Sequence, residues 1–416
     1  MMTQAFYTGV SGLRTNQHGI DVVSDNLANI NTVGFRSSNA EFSSLFEKTL
    51  NTTHNNTSNS VGIGSMLQAT SLNQTQGSLM LSDRNTDLAI MGDGWFGVEG
   101  NNNIAYTRDG SFKFDALGDL VTNDGFHVLG TMGGNINGET LGAKLDEVKL
   151  GDVTSQEKLS FPKFLTYPQE ATTKTKFTGN LGTEDETRSM SSGVIDSTGT
   201  RNNLKLIFTK SVPQTLPGSQ WDIEATTETL DGITVYDTQN GKVSFDDKGA
   251  LISSTLSSIN NNGSKITIDL GNAYDGVVSN NGLISSSSSS DGIVAGELTG
   301  YSINQNAEII SSFSNGMQSS VGKIAVYHFQ NDQGLQRVGS SKFTQSSDSG
   351  LPIFYTDING QNVIGSSVSN FSLENSNVEM SNALTELIIL QRSFDASSKS
   401  VTTADEMMQK ALSMDA

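Results

Sequence analysis

Near its start the chain reads Asn26-Leu27-Ala28-Asn29-Ile30-Asn31-Thr32-Val33-Gly34-Phe35-Arg36, and near its end it reads Leu373-Glu374-Asn375-Ser376-Asn377-Val378-Glu379. The first segment ends a helical pattern, because asparagine favours caps and turns and Gly34 can adopt the left-handed conformation that reverses the path. The second segment leads into a long helical pattern that contains Gln391-Arg392-Ser393-Phe394. We therefore expect a helix at each end of the chain, with the rest of the sequence looped between them.

Both terminal segments carry an apolar stripe at coiled-coil spacing. Alternating steps of four and three residues define the first stripe as Phe6, Val10, Leu13, Gln17, Ile20, Ser24 and Leu27. The same steps define the second stripe as Met380, Leu384, Leu387, Gln391, Phe394, Ser398, Val401, Asp405, Met408 and Leu412. The polar members cost stability but can fix the register of an assembly. We expect the two helices to pair as a coiled-coil-like core in which the apolar members of both stripes are buried.

Glycine weakens the first helix. Gly9, Gly12 and Gly19 each cost a helix about 1 kcal/mol relative to alanine, so this helix is not expected to persist alone. Glycine also lets backbones approach closely, which suits dense packing among helices. The alternative is an amphipathic helix pair that caps an ordinary globular domain. We favour assembly, because the stripes lie at the extreme ends of the chain and neither has a helix nearby in sequence to cover it.

Composition indicates an extended, β-rich protein with several domains. The 416 residues include 42 Gly, 5 Pro and no Cys, and 35% are hydrophobic, which is thin for one compact core. Without cysteine there are no disulfides or thiolate metal sites. The net charge of −19 argues against nucleic acid and anionic membrane as partners, since both attract cationic patches. We see neither a stretch of roughly 20 apolar residues that could span a membrane nor a signal-peptide pattern at the N-terminus.

From Leu72 onward the hydrophobic period changes to the two-residue period of strands, with turn glycines at short intervals. Similar patterns return near Ile303 and run to Leu335, so one β-domain is predicted to be interrupted by an insert of about one domain in size. The predicted organisation is a terminal helical core (1–30 and 372–416), a connector (31–71), an inner β-domain (72–150 and 293–371) and an outer inserted β-domain (151–292). The polar run Asn51–Ser60 is predicted to be an exposed connector, and Ser285–Ser290 a return linker.

Three regions of the sequence resemble the axial proteins of the bacterial flagellum, the rod and hook family. The terminal motifs carry the resemblance at Asn26, Asn29, Thr32, Gly34, Phe35, Asn375, Asn377, Val378, Gln391 and Arg392. Residues 87–130 carry it through the runs Asp87–Phe96, Tyr106–Phe112 and Asp119–Gly130. The resemblance is weak from about 151 to 292, where we expect members of the family to diverge.

The resemblance is strongest to a hook subunit, and it implies a structural protein with no enzymatic activity. It implies a mainly β, multidomain fold whose terminal helices form the inner, polymerisation core of a tube, surrounded by the inner β-domain and then by the outer one. A curved hollow tube of this kind acts as a universal joint that passes torque from rod to filament. The implied partners are further copies of the chain, the distal rod protein, the hook–filament junction protein, the hook cap and the flagellar type III export apparatus. The implied location is the extracellular hook, reached without a cleaved signal peptide.

The sequence contains patterns that partly match nucleotide-binding and metal-binding motifs, but each match is incomplete. We therefore predict no catalytic, cofactor-binding or metal site. Residues Gly92–Gly97 match the dinucleotide pattern G-x-G-x-x-G, but no helix follows and Asp93 would repel a pyrophosphate, so a glycine-lined hairpin is preferred. Asp109, Asp115, Asp119 and Asp124 do not fit a calcium loop and are interpreted as turn carboxylates. The four histidines are scattered and lack metal-ligand spacing.

Two alternatives to a hook subunit remain at this stage. A distal rod subunit shares the terminal and inner-domain motifs, but rod proteins are shorter and lack a comparable insert. A secreted β-rich adhesin or carbohydrate-binding protein is suggested by the Ser/Thr/Asn-rich middle of the chain. An aromatic binding platform would favour it, yet the chain has only two Trp, one of them inside the family motif.

Overall fold

The computed structural model describes residues 2–45, 48–49, 60–61, 64–101, 103–184, 186–214 and 218–414. Within these residues the chain has two α-helices, α1 (Met2–Ala28) and α2 (Met380–Met414). The helices are antiparallel neighbours, because Gly9 lies against Val401 while Gly19 lies against Leu390. Over the described residues, all other regular structure is β apart from two short 3₁₀ turns, Val153–Ser155 and Asp332–Gly334. The expected fold class, mainly β and multidomain with paired terminal helices, is thereby confirmed.

The contact between the helices is offset by one residue from the predicted stripe on α1 and from part of the predicted stripe on α2. On α1 it runs through Gly9, Gly12, Asn16, Gly19 and Val23. A Cβ on Gly9 would lie 2.7 Å from Val401 Cγ2, and one on Gly19 would lie 2.9 Å from Leu390 Cδ2. The helices are therefore so close that a side chain at either position would displace the Val401 or Leu390 side chain.

On α2 the facing residues include Ala383, Leu387, Leu390, Ser397 and Val401. Leu387 and Val401 belong to the predicted stripe. At the other positions the contact uses Ala383, Leu390 and Ser397, each of which precedes a predicted residue (Leu384, Gln391 and Ser398). The physical reason is the glycine seam: small residues on α1 draw α2 closer along that seam than the larger side chains of the predicted stripe would allow.

A β-hairpin covers another side of α1, within the predicted connector. Strand Ser38–Ser44 pairs antiparallel with Ser65–Leu72. Thr15 Oγ1 donates to the Ser65 carbonyl at 2.9 Å, and the Asn26 side chain donates to the Ser38 carbonyl and accepts from the Ser38 N–H. A short ladder joins Lys48–Thr49 to Ser60–Val61. Residues 51–59 of the predicted polar connector lie outside the described residues.

The inner part of the molecule is built on a 15-stranded sheet, counted over the described residues. Its strands are Trp95–Gly100, Asn103–Thr107, Phe112–Phe114, Leu120–Thr122, His127–Met132, Ile136–Asn137, Thr140–Leu141, Glu157–Lys158, Thr166–Tyr167, Gly296–Ile303, Glu308–Phe313, Gln318–Ile324, Val326–Tyr327, Gln336–Gly339 and Lys342–Thr344. Two-stranded ladders flank it: Leu79–Leu81 with Ser372–Glu374, Leu88–Met91 with Ser367–Asn370, and Tyr355–Thr356 with Asn362–Val363. Aromatic side chains such as Phe96, Phe112 and Tyr327 fill its core.

The outer part has a separate core formed between two sheets. One sheet contains Arg188–Ile195, Arg201–Lys210, Gln220–Thr229, Val235–Phe245 and Leu251–Ser254. The other contains Lys174–Asn180, Ser258–Asn261, Ser264–Asp269, Gly271–Asn272, Asp275–Val278 and Ser285–Ser290. Trp221, Phe208 and Phe177 are fully buried between them.

Two details of the predicted organisation differ from the structure. Residues 151–170 belong to the inner core, where Phe161 and Tyr167 are buried, and the chain passes outward only at the Glu170–Ile293 bridge. The predicted border at Gly151 therefore lies within the inner domain. Ser285–Ser290, predicted to be a linker, is a strand that pairs with Lys174–Asn180. Backbone hydrogen bonds, and the hydrogen bond that the Ser288 hydroxyl donates to the Ser191 carbonyl, hold this strand in place of apolar packing.

The Gly92–Gly94 turn also differs, since it does not close a hairpin. Strand Leu88–Met91 pairs with Ser367–Asn370, whereas Trp95–Gly100 lies within the large sheet. Both glycines have positive φ, 102° and 122°, so the turn redirects the chain between two sheets. Asp115 occupies a hairpin turn as expected, with Oδ1 accepting from the N–H groups of Leu117 and Asp119.

Candidate assembly surface and the junction that orients it

The two terminal motifs meet at a junction between the helix pair and the inner sheet. The Gly34 N–H donates to the Glu374 carbonyl at 2.7 Å. Gly34 has a φ of 65°, and a Cβ on it would lie 2.4 Å from Asp109 N. Glycine is therefore required here both by its conformation and by the close approach of the inner domain.

Glu374 is the centre of a buried charge cluster that joins three segments of the chain. Its Oε1 lies 3.0 Å from Arg36 Nη2, and its Oε2 lies 3.4 Å from Arg108 Nη1. Oε1 also accepts from the Gly77 N–H at 2.9 Å. All three charged side chains are almost fully buried, so the cluster fixes the N-terminal turn and the C-terminal segment to the inner sheet.

The surroundings of the cluster stabilise its charges. Arg36 donates to the Gln74 and Thr75 carbonyls, and Arg108 Nη2 donates to the Gly92 carbonyl at 2.7 Å. Burial, with the nearby positive charge of Arg36, lowers the pKa of Arg108 to about 10. Burial also lowers the pKa of Arg36, against the opposing effect of Glu374. Both arginines remain cationic at neutral pH.

The asparagines of the motifs complete the junction. Asn377 Oδ1 accepts from the Ser37 N–H at 2.7 Å, and its Nδ2 donates to the Asn73 and Thr75 carbonyls. Asn375 Nδ2 donates to Ser78 Oγ at 3.2 Å. These contacts bind the C-terminal segment to residues 73–78, which follow the second strand of the connector hairpin.

On the N-terminal side, Asn29 Nδ2 donates to the Asp25 carbonyl and Thr32 Oγ1 donates to Asn29 Oδ1, which close the turn after α1. Phe35 is buried beneath the Arg337 guanidinium, 4.7 Å from the ring centroid. Every motif residue from Asn26 to Phe35 that the sequence singled out thus lies at or beside this junction. Val378 packs beside Val23 at the start of the helix pair, whereas Gln391 and Arg392 are exposed on α2.

Sequence reasoning missed two arginines of this junction, Arg108 and Arg337. Arg108 stood inside a quoted motif, Tyr106–Phe112, without a role. Arg108 directly follows the buried end of the strand Asn103–Thr107, and a charged residue at the end of a buried strand is the signal that could have identified it. Arg337 sits in an edge strand of ordinary polar composition, and nothing in its sequence neighbourhood indicates the contact with Phe35.

The helix pair leaves a large apolar surface uncovered. On α2, the exposed large hydrophobic residues are Met380, Leu384, Ile388, Ile389, Met407 and Leu412. Of the predicted core residues, Leu387, Phe394, Val401 and Met408 are half-buried, as are Phe6, Val10, Leu13, Ile20 and Leu27. The structure thus places some of the predicted residues in or beside the contact within one chain and leaves others facing outward. An exposed apolar helix face of this length indicates contact with another chain.

The described residues include no helix long and apolar enough to cross a membrane. Within the same residues, no group of three or more His, Asp or Glu side chains is arranged to hold a metal ion.

Three flagellar families match separate parts of the chain. The family described as "Flagella basal body rod protein" matches residues 6–36. The "Flagellar hook protein FlgE/F/G D1 domain" matches residues 89–162, within the inner sheet and its connections. The "Flagellar basal body rod FlgEFG protein C-terminal" family matches residues 370–414, which contain Glu374 and α2. The matched segments are those that form the junction, the helix pair and the inner core.

Curated relatives extend the similarity over the whole chain. The chain is 27% identical to flagellar hook protein FlgE of Treponema pallidum over 99% of its own length and 100% of the relative's. It is 24% identical to the FlgE of Salmonella typhimurium over the same shares. A Bacillus subtilis basal-body rod protein, FlgG, is 37% identical but covers only 32% of this chain and 54% of its own length.

The fold is similar to the crystal structure of Helicobacter pylori flagellar hook protein FlgE2, with a TM-score of 0.54 and 16% identity over 71% of this chain and 100% of that one. The hook relatives match from end to end, whereas the rod relative matches only part of the chain, so the hook interpretation is favoured over the rod and adhesin alternatives. The predicted resemblance to the flagellar hook protein family is confirmed, since curated hook relatives match this chain from end to end.

Proposed function

We propose that this chain is the repeating subunit of a curved hollow hook, which acts as a universal joint between rod and filament. Copies assemble through their α1–α2 pairs, which form the innermost layer. The inner sheet surrounds that layer, and the inserted outer domain forms the surface. Torque passes along the packed core while outer contacts slide as the tube bends.

The observation that carries this proposal is the uncovered apolar face of α2. Met380, Leu384 and Ile388 follow one another at intervals of four residues, so they form a continuous stripe on the helix. Each is more than two-fifths exposed in a single chain. Burying such side chains stabilises an assembly by about 25 cal/mol per Å² of apolar surface. Neighbouring copies supply the cover that the single chain lacks.

The remaining members of the assembly follow from the family. The distal rod protein would contact the base of the tube, the hook–filament junction protein its tip, and the hook cap its growing end. Export through the flagellar type III apparatus would deliver the chain to the outside of the cell without a cleaved signal peptide. The chain is a structural subunit, and its motif residues hold the junction in place without taking part in any reaction.

Truncation after Val378 tests the proposal. The truncated chain keeps Glu374 and the junction but loses the whole of α2, so the two β cores should stay folded while polymerisation is lost. Circular dichroism and intrinsic fluorescence report the folding of the β cores, and electron microscopy reports the polymer. Tubes formed by the truncated chain would refute a core built from the terminal helices.

A further inference from the structure

A groove opens at one end of the large inner sheet. It has a volume of about 950 Å³ and runs beside the strands Asn103–Thr107, Gln336–Gly339 and Lys342–Thr344. Its apolar lining includes Ile104, Phe126, Val338 and Leu351. Of these, the side chains of Ile104, Val338 and Leu351 are about half exposed or more. An apolar groove of this size on a protein surface is a place where another group binds.

Two buried tyrosines give the groove unused hydrogen-bonding capacity. Tyr106 and Tyr327 both line it, although their side chains are only 3% and 2% exposed. Among the described residues, neither hydroxyl has a hydrogen-bond partner. Burial raises the pKa of Tyr106 to about 12, so its hydroxyl stays protonated and can donate. The groove therefore fits an apolar group that is accompanied by an acceptor such as a backbone carbonyl.

A matching projection lies near the other end of the same sheet. Phe164 is 75% exposed. It precedes the strand Thr166–Tyr167, which lies near one end of the sheet, whereas the strands beside the groove lie at the opposite end. Its neighbours Phe161 and Leu165 are buried, and the Tyr301 hydroxyl donates to the Pro162 carbonyl at 2.7 Å. The phenyl ring is thus presented on a fixed segment, which lowers the entropy lost on binding.

The charges beside the two features are complementary. Asp124 and Lys342 both line the groove and form an ion pair, in which the Asp124 side chain is 44% exposed and the Lys342 side chain 8%. Lys163, next to Phe164, is exposed and forms no ion pair with any described residue. The groove pair thus presents mainly its carboxylate to solvent, and the charge beside the projection is positive.

We propose that Phe164 of one copy occupies the groove of the next copy, with its phenyl ring against Phe126 and Lys163 beside Asp124. A backbone carbonyl of the segment around Phe164 accepts from a groove tyrosine. The contact rests on the proposed function, since it needs a polymer of this chain. Because the projection and the groove are different surfaces near opposite ends of one sheet, the contact is head-to-tail and does not close into a dimer. It links the inner β layer of the tube independently of the helices.

Cysteine cross-linking tests this contact directly, because the chain has no cysteine of its own. The variant carrying Phe164→Cys and Leu351→Cys is polymerised and then oxidised. We expect a ladder of covalent dimers, trimers and larger species on a non-reducing gel, and none from the same variant kept monomeric. The matched control carries Phe164→Cys and Ile252→Cys, where Ile252 is also exposed but lies in the outer domain, and it should give no ladder.

A second variant covers the case in which the double-cysteine chain does not assemble. Phe164→Ala should raise the critical concentration for polymerisation at least about tenfold, which corresponds to about 1.4 kcal/mol per contact, whereas Ile252→Ala should not change it. An unchanged critical concentration, or polymer that oxidises without a ladder, would overturn the contact while leaving the proposed function standing. A wild-type chain that forms no polymer would refute the proposed function and the contact with it.

Discussion

Glu374→Ala should destabilise the inner domain by about 3 kcal/mol. The substitution removes two charged contacts and one backbone contact, at 3.0, 3.4 and 2.9 Å from the Glu374 oxygens. It leaves Arg36 and Arg108 buried beside each other without their shared counter-charge. Removing one partner of a buried ion pair costs about 3–5 kcal/mol. We expect the lower end of this range, because both arginines keep backbone carbonyl partners.

Tryptophan fluorescence can measure this loss in one domain at a time. The chain has two tryptophans, with Trp95 buried in the inner core and Trp221 in the outer core. In a Trp221→Phe background, urea unfolding followed by fluorescence reports the inner core alone. At about 1–3 kcal/mol per M of urea, a loss of 3 kcal/mol lowers the midpoint by at least about 1 M.

Two controls make the measurement decisive. Glu99→Ala removes a partly exposed pair with Lys158, 3.7 Å apart, and should cost less than about 1 kcal/mol. Glu374→Gln keeps the shape of the side chain without its charge and should lie between the two. A Glu374→Ala midpoint that matches Glu99→Ala would show that the buried cluster does not hold the termini to the inner sheet.

Three further predictions concern the junction, the outer core and the domain border. Gly34→Ala should destabilise the inner domain and expose the junction to hydrogen exchange, because its new Cβ would meet Asp109 N; unchanged exchange would contradict this. Burial by itself raises the pKa of Asp196, but hydrogen bonds from neighbouring side chains and N–H groups lower it to about 2. Its contribution to outer-core stability is therefore complete above about pH 4 and lost as the pH falls toward 2, and in a Trp95→Phe background Asp196→Asn should reduce the fall of the urea midpoint over this pH range. Replacing residues 172–291 with a Gly/Ser linker should leave the inner core folded, because Glu170 and Ile293 are bonded neighbours. Replacing residues 152–291 should instead unfold the inner core. Equal circular dichroism melting curves for the two deletions would refute the revised border.

The terminal motifs were predictable because they combine residues with narrow conformational roles. Gly34 and the asparagines around it signal a turn in any context, and the long α2 pattern signals a helix by its period alone. The family resemblance then led to the prediction of an inner β-domain. The pairing of the helices was predictable in kind but not in register, because the seam depends on how closely Gly9 and Gly19 let α2 approach.

The border of the insert and the buried charges depend on tertiary contacts that a sequence pattern does not encode. Residues 151–170 contain only short strands, and what assigns them to the inner core is the burial of Phe161 and Tyr167 against strands more than a hundred residues away. The serines of Ser285–Ser290 have little strand preference, and their partner strand decides their conformation. The ion pair of Arg108 likewise forms only when the fold brings Glu374 beside it.

The most direct test of the account is electron microscopy of the purified full-length chain under polymerising conditions, with reconstruction of any tube. We expect a short, curved, hollow tube in which α1 and α2 form the innermost layer, the inner sheet lies around them and the outer domain lies at the surface. A straight rod, a tube with its β-domains innermost, or a chain that stays monomeric while fully folded would contradict the account.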